Sequence, residues 1–177
     1  GTAQRNVLWP VDRIQSLELL AWFCDQALAN FGRFQDAMTG QSESKWSLYH
    51  SRLSFAMNCK MLSPEEVVNA SITAYQQQPS INLAQLEGFI RQILGWREFV
   101  RAIYWVNGSD YKTLNHFESS RALPEFFWNG KTKMRCMSEA INQSLETSYA
   151  HHIQRLMVTG NFCLLTGIDP DQVDNWY

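Results

Sequence analysis

The fold of this chain is decided by residues 82–107, which read NLAQLEGFIRQILGWREFVRAIYWVN. Apolar side chains recur there at intervals of three and four, which predicts an amphipathic α-helix. They are Leu83, Leu86, Ile90, Ile93, Phe99, Val100 and Ile103. Asn82 is a favourable N-cap with Gln85 in the capping-box position, and Asn107-Gly108 supplies a turn that ends the helix. Strand patterns are nearly absent elsewhere, so we expect an all-α protein.

The helical pattern continues on both sides of this stretch. Residues 11–30 have helical periodicity, and Ser63-Pro64-Glu65-Glu66 predicts a helix with Ser63 as N-cap and Glu66 completing a capping box. From about residue 134 to 166 we expect one long helix. Its predicted apolar line comprises Met137, Ile141, Leu145, Tyr149, His152 and Leu156.

Turn residues separate and end these helices. Residues 109–131 are expected to form a loop or short helical turns, with breaks at Leu123-Pro124 and Asn129-Gly130. Gly167 suits the position after a helix C-terminus, and Asp169-Pro170 predicts the start of a last helix. This helix has only a few residues before the chain stops, so the chain reads as part of a longer protein.

Composition narrows the class of protein. The chain has 177 residues, 45% of them hydrophobic and 18% charged, which is typical of one globular domain. A net charge of -2 argues against purely electrostatic nucleic-acid binding. With no apolar run long enough for a membrane helix and no secretion signal, we expect a cytoplasmic protein with reduced thiols.

Two polar segments are candidate binding sites. Residues 50–54 (His-Ser-Arg-Leu-Ser) precede a capped helix and offer hydroxyls and a cation to an anion such as phosphate, or they form an ordinary turn. Trp96, Arg97 and Arg101 place an indole beside two cations, which suits a base and phosphates. The alternative for this second segment is a half-buried Trp above a solvated basic strip.

A histidine pair and one cysteine are candidate reactive groups. His152 falls on the predicted apolar line, whereas His151 lies about 100° round the helix, on the side of Arg155. His152 is either a hydrogen-bonded core residue or an acid that faces a cavity. Cys136 is either a small buried side chain or a single cluster ligand.

Long motifs connect these candidates. They are FGRFQDAM (residues 31–38), YHSRLSFA (49–56), WREF (96–99), LPEFFWNG (123–130) and YAHHIQRLMVTGNF (149–162). Together they resemble the photolyase/cryptochrome family of flavoproteins, and most closely its iron–sulfur bacterial branch, the photolyase-related proteins. The resemblance implies that residues 1–177 are part of the all-α FAD-binding domain, without the N-terminal antenna domain and without the C-terminal segment that carries cluster and flavin contacts.

The resemblance also implies roles for individual residues. The segment expected to wrap the FAD phosphates consists of His50, Ser51, Arg52, Leu53 and Ser54. Arg155 is expected beside the flavin, and Trp96, Arg97 and Arg101 beside the flavin and lesion pocket. His151 and His152 match a pair that lines the lesion pocket and donates a proton.

The remaining implied roles concern electrons. Trp128 matches the relay Trp nearest the flavin, and Trp176 and Tyr177 match the aromatic pair on the next helix. For all three residues the alternative is core packing. Cys136 matches the first of four [4Fe-4S] ligands, the others lying beyond Tyr177.

The implied activity is light-driven, FAD-dependent repair of UV-damaged DNA, with (6-4) pyrimidine photoproducts favoured by the histidine pair. The alternative is a cryptochrome-type photoreceptor that does not repair. An antenna chromophore and a cluster are expected only in the full-length protein. By itself the chain is expected to bind no FAD and to be inactive, because a half-site loses most of the ligand burial. Apolar surface left uncovered would favour self-association.

Overall fold

The computed structural model describes residues 8–177 and confirms the all-α expectation. Over that range it contains no strand, and one isolated bridge joins Arg121 to Ile168. The chain divides into two compact units, the first reaching Val106 and the second comprising Asn107–Tyr177.

The first unit is built from helices joined by short turns. They are α1 (Arg13–Trp22), α2 (Leu28–Phe34), α3 (Ser54–Asn58), α4 (Pro64–Gln77) and α5 (Leu83–Asn107). A π-helical turn, Phe23–Ala27, connects α1 to α2 without a break. None of the helices from residue 8 onward combines the length and apolarity that crossing a membrane requires.

The predicted helix starts are confirmed. Ser63 accepts a hydrogen bond from the Glu66 backbone N–H, and the Glu66 side chain accepts one from the Ser63 backbone N–H in return. The Asn82 side chain accepts from the backbone N–H groups of Ala84 and Gln85. These bonds satisfy N–H groups that have no partner within the helix, and so they fix where α4 and α5 begin.

Three phenylalanines centre the core of the first unit. Phe23 lies 4.5 Å from Phe89 and 5.8 Å from Phe31 between ring centroids, and Phe31 lies 5.2 Å from Phe89. Helices α2 and α5 cross closely beside them, because a Cβ on Gly32 would come within 3.1 Å of the Gln85 Cα. The π turn adds a residue to the helix, and Phe23, Cys24, Ala27 and Leu28 all face inward.

Only the middle of the predicted stripe on α5 is buried. Leu86 and Ile93 are in the core, together with Phe89, which was not part of the predicted stripe, whereas Leu83 and Phe99 are exposed. The C-terminal half of α5 therefore carries an uncovered apolar surface. It comprises Leu94, Trp96, Phe99, Val100, Tyr104, Trp105 and Val106.

The second unit contains shorter helices. A 3₁₀ turn (Gly108–Thr113) is followed by α6 (Phe126–Asn129), α7 (Arg135–Thr147), a π-helical segment (Gln154–Gly160), α8 (Asn161–Thr166) and α9 (Pro170–Trp176). The predicted breaks are confirmed, with left-handed Gly130 after α6 and Gly167 after α8. Asp169 caps α9 by accepting from the Asp171 N–H.

The single helix expected over residues 134–166 is wrong. Helix α7 ends at Thr147, Ser148 has a φ of 53°, and helical structure resumes at His152. The Ser148 N–H still bonds the Ser144 carbonyl, so Ser148 acts as a left-handed C-cap. A non-glycine residue in this role gave no turn signal in the sequence.

The core of the second unit lies between α7 and α8. Its buried members are Phe127, Met137, Ile141, Cys163 and Ile168. Ser138 connects α7 to α6, because its hydroxyl donates to the Gly130 carbonyl at 2.8 Å and accepts from Asn142 at 3.2 Å. The end of α6, next to Trp128, is thereby fixed to α7.

Candidate functional site

The segment 50–54 lies in the first unit, immediately before and at the start of α3. Leu53 is fully buried and His50 is buried, while Ser51 and Arg52 are half-buried and Ser54 is exposed. Arg52 has a φ of 57°. The segment thus combines an apolar anchor, Leu53, with polar side chains at or near the surface.

The guanidinium of Arg52 is stacked on two indoles. It lies 4.6 Å from the ring centroid of Trp22, at the end of α1, and 5.1 Å from that of Trp46. Contacts of a cation with two aromatic faces hold the side chain in one place and keep its charge. A positive charge fixed in this way suits an anion, and the stacking also ties the segment to α1.

The aromatic and basic residues of α5 lie on its exposed half. The Trp96 indole donates to Gln92 at 3.1 Å and its ring is 6.0 Å from Phe99. Arg101 is paired with Glu98 at 3.4 Å, and Arg97 is partly buried. Trp96 is 51% exposed, which is compatible with both the binding prediction and the alternative of a half-buried Trp above a basic strip.

The histidine pair is oriented opposite to the sequence expectation. His151 is buried and His152 is exposed, because the helix that was expected to align His152 with the core is interrupted before it. The Nδ1 atom of His151 accepts from the Ile153 N–H at 3.3 Å, and the His151 N–H donates to the Gln154 side chain at 3.2 Å. The side chains of His151 and Gln154 therefore both cap the start of this helix.

Arg155, Tyr177 and Thr159 form a cluster in the second unit. The guanidinium of Arg155 lies 4.3 Å from the ring centroid of Tyr177, and the Tyr177 hydroxyl lies 2.6 Å from the Thr159 hydroxyl. Thr159 in turn donates towards the carbonyls of Arg155 at 2.9 Å and Gln154 at 3.2 Å. Burial raises the pKa of the Tyr177 phenol, while the Arg155 charge opposes this rise.

Aromatic rings continue from this cluster into the core. Tyr177 lies 4.7 Å from Trp176, and Trp176 lies 5.2 Å from Phe127 between centroids. The Trp176 indole also donates to the Phe127 carbonyl at 3.0 Å, which is the carbonyl of the peptide bond to Trp128. Trp128 itself is 64% exposed. Core packing thus describes Trp176 but not Trp128.

The cysteines are spread over both units. Cys136 is exposed in the first turn of α7, which is contrary to the alternative of a small buried residue. Cys24 and Cys163 are buried, and burial raises the pKa of Cys163 to about 11. Within residues 8–177, no three His, Cys, Asp or Glu side chains converge as metal ligands would.

The structure brings together some of the predicted site residues. Arg155, Trp176 and Tyr177 are in contact within the second unit, and Trp128 is linked to them through the Phe127 carbonyl. Residues 50–54 and the Trp96 segment belong to the first unit. Sequence reasoning missed Thr159. The contacts of Thr159 with the Gln154 and Arg155 carbonyls are recognisable only once the π-helical segment is known.

The chain has relatives among known proteins. No family model matches it. It is 49% identical over 172 residues, 97% of its length, to a (6-4) photolyase of Agrobacterium fabrum. It spans about a third (33%) of that relative's length. It is also 28% identical over 99 residues to an uncharacterised protein of Acanthamoeba polyphaga mimivirus, covering 56% of this chain and 75% of the viral protein.

Proposed function

This chain belongs to the photolyase family, and we propose that the full-length protein uses FAD and blue light to repair UV-damaged DNA, with the (6-4) pyrimidine photoproduct as its substrate. The observation that carries the proposal is the 49% identity to a (6-4) photolyase over 97% of the chain. Because so little of the chain lies outside this match, the match includes the segment with the histidine pair and Arg155.

The polar residues of each unit fit parts of FAD. In the first unit, Ser51, Ser54 and the stacked Arg52 offer hydroxyls and a fixed cation, which suit the phosphates. In the second unit, Arg155 is held on Tyr177 and suits the electron-rich flavin ring. When bound, FAD would supply the light-driven electron that splits the lesion.

The two histidines are proposed to have different roles. His151 uses Nδ1 to cap the helix that carries Arg155, so its imidazole supports the backbone of the site. His152 is exposed on the next position and is the proposed proton donor to the lesion. Imidazole suits general acid chemistry because it titrates near neutral pH. Trp96, Arg97 and Arg101 are proposed to contact damaged DNA.

The aromatic residues are proposed to refill the flavin with electrons. Trp176 and Tyr177 are adjacent rings, and a hydrogen bond leads from Trp176 towards Trp128. Trp128 is 64% exposed in this chain and is proposed as the relay Trp nearest the flavin. Exposed Cys136 would supply one thiolate to a [4Fe-4S] cluster in the full-length protein, where an antenna chromophore is also expected.

The test is blue-light repair of an oligonucleotide duplex with one (6-4) lesion, by the full-length protein with FAD bound. We expect His152→Ala to abolish repair while FAD stays bound, and His116→Ala to repair normally, because His116 is exposed in the loop before α6. Repair by His152→Ala would reject its role as donor. If the unmodified protein binds FAD but does not repair the lesion, the photoreceptor alternative replaces the repair proposal.

A further inference from the structure

We propose that Thr159 is a positioning residue of the electron relay, whose hydroxyl holds the Tyr177 ring between Trp176 and Arg155. This inference rests on the proposed function, since the relay is part of it. Thr159 is 1% exposed, and its hydroxyl oxygen lies 2.6 Å from the Tyr177 hydroxyl oxygen. The pair joins the π-helical segment to a residue 18 positions later, at the end of α9.

The Thr159 hydroxyl donates in one direction and accepts in the other. A threonine hydroxyl has one proton to donate and lone pairs to accept with. The Arg155 and Gln154 carbonyls at 2.9 and 3.2 Å can only accept, so the Thr159 proton points to them. The phenol of Tyr177 must then donate to Thr159. Thr159 is therefore the acceptor that keeps this half-buried phenol satisfied.

The π-helical geometry explains why a threonine fits here. A Cβ on the next residue, Gly160, would lie 2.9 Å from the Arg155 carbonyl oxygen, so the wide turn requires glycine at that position. The Thr159 hydroxyl thus donates to the Arg155 carbonyl, and Gly160 leaves room beside the same carbonyl because it has no side chain. The side chain of the same Arg155 covers the Tyr177 ring, which closes a loop of contacts through three residues.

The loop of contacts sets the position of a ring in the relay. Tyr177 lies 4.7 Å from Trp176 at an interplanar angle of 80°, and this geometry depends on where the phenol is anchored. Without the Thr159 hydroxyl, Tyr177 would carry a donor with no acceptor, and the ring would turn to find water. Small displacements of reacting groups cost large factors in rate.

The test uses full-length protein with bound FAD and follows the rate of flavin reduction under blue light with excess external reductant. Thr159→Val keeps the shape and removes the hydroxyl, and Thr159→Ser keeps the hydroxyl. Tyr177→Phe removes the donor, and the double variant Thr159→Val/Tyr177→Phe removes both partners. The FAD content of each variant is measured from its absorption spectrum and serves as the control for folding.

In Thr159→Val we expect the rate of flavin reduction to fall about threefold or more, at unchanged FAD content. The free-energy cost of one unsatisfied polar group corresponds to at least this factor. Thr159→Ser should stay within about twofold of the parent. The double variant should match Tyr177→Phe, since removing both partners leaves no donor unsatisfied.

Three results would overturn the inference: a parent-like rate for Thr159→Val, a rate for Thr159→Ser as low as for Thr159→Val, or a double variant that is slower than Tyr177→Phe. A parent protein that binds no FAD or shows no photoreduction overturns the proposed function itself, and the role of Thr159 falls with it. Normal photoreduction of both parent and Thr159→Val overturns only the role of Thr159.

Discussion

Replacing Gly130 by alanine should show how firmly the end of α6, and with it Trp128, is held. Gly130 has a φ of 67°, and a Cβ there would overlap the side-chain amide of Asn142 on α7. Gly167 is the matched control, because it has a φ of 70° but a Cβ on it would have nothing within 4 Å. Both variants place alanine at a positive φ, but only Gly130→Ala also adds a steric clash with Asn142.

The magnitudes follow from these two terms. An alanine in the left-handed backbone conformation lowers the free energy of unfolding by about 1–2 kcal/mol, and this should be the whole effect of Gly167→Ala. Overpacking against Asn142 adds about 1–3 kcal/mol, so Gly130→Ala should cost about 2–5 kcal/mol. Combining Gly130→Ala with Asn142→Ala removes the clash, and the double variant should be more stable than the sum of the two single changes predicts.

The assay is urea unfolding followed by circular dichroism, which gives the free energy of unfolding of each variant. Equal losses for Gly130→Ala and Gly167→Ala would show that the Asn142 side chain moves aside at no cost. Additive effects of Gly130→Ala and Asn142→Ala would likewise refute the predicted clash. Either result would mean that contact with the Asn142 side chain does not restrain the end of α6.

Three other outcomes are expected. The hydrogen bond from Arg13 lowers the Glu66 pKa from 4.5 to about 2, so its contribution to stability is present above pH 4.5 and lost as the pH falls towards 2; Glu66→Gln should flatten this part of the stability profile. Gly32→Ala should be less stable than Gly88→Ala in thermal unfolding by about 1–3 kcal/mol, because only at Gly32 does the Cβ press on backbone, at 3.1 Å. Trp128→Phe should slow photoreduction of FAD in the full-length protein, and an unchanged rate would remove Trp128 from the relay.

The helix starts could be predicted because their signals are local. Ser63, Glu66 and Asn82 act within three residues of themselves, and glycine marks the ends of α6 and α8. The break between α7 and the next helix could not be predicted in this way. It depends on a left-handed serine and on a cap made by His151 and Gln154, and neither is a common signal in a sequence.

The same break decides how much of the site could be foreseen. The residues of the candidate site were found through motifs. The orientation predicted for the histidine pair assumed a continuous helix and was therefore wrong. Thr159 was overlooked because its partner, Tyr177, lies 18 residues away and meets it only through the π-helical segment. Periodicity indicates which face of a helix is apolar, but an added residue within a turn shifts that face, as happens at both π turns.

A π turn can be viewed as an α-helix that has gained one residue by insertion, and this view has an evolutionary consequence. Deleting one residue within Gln154–Gly160 would leave a regular helix but rotate α8 by about 100°. Cys163 would leave the core and a neighbour would replace it, while the Thr159 contact with Tyr177 would be lost. Single-residue deletions should therefore be rare in homologues across this segment, even where its individual residues vary.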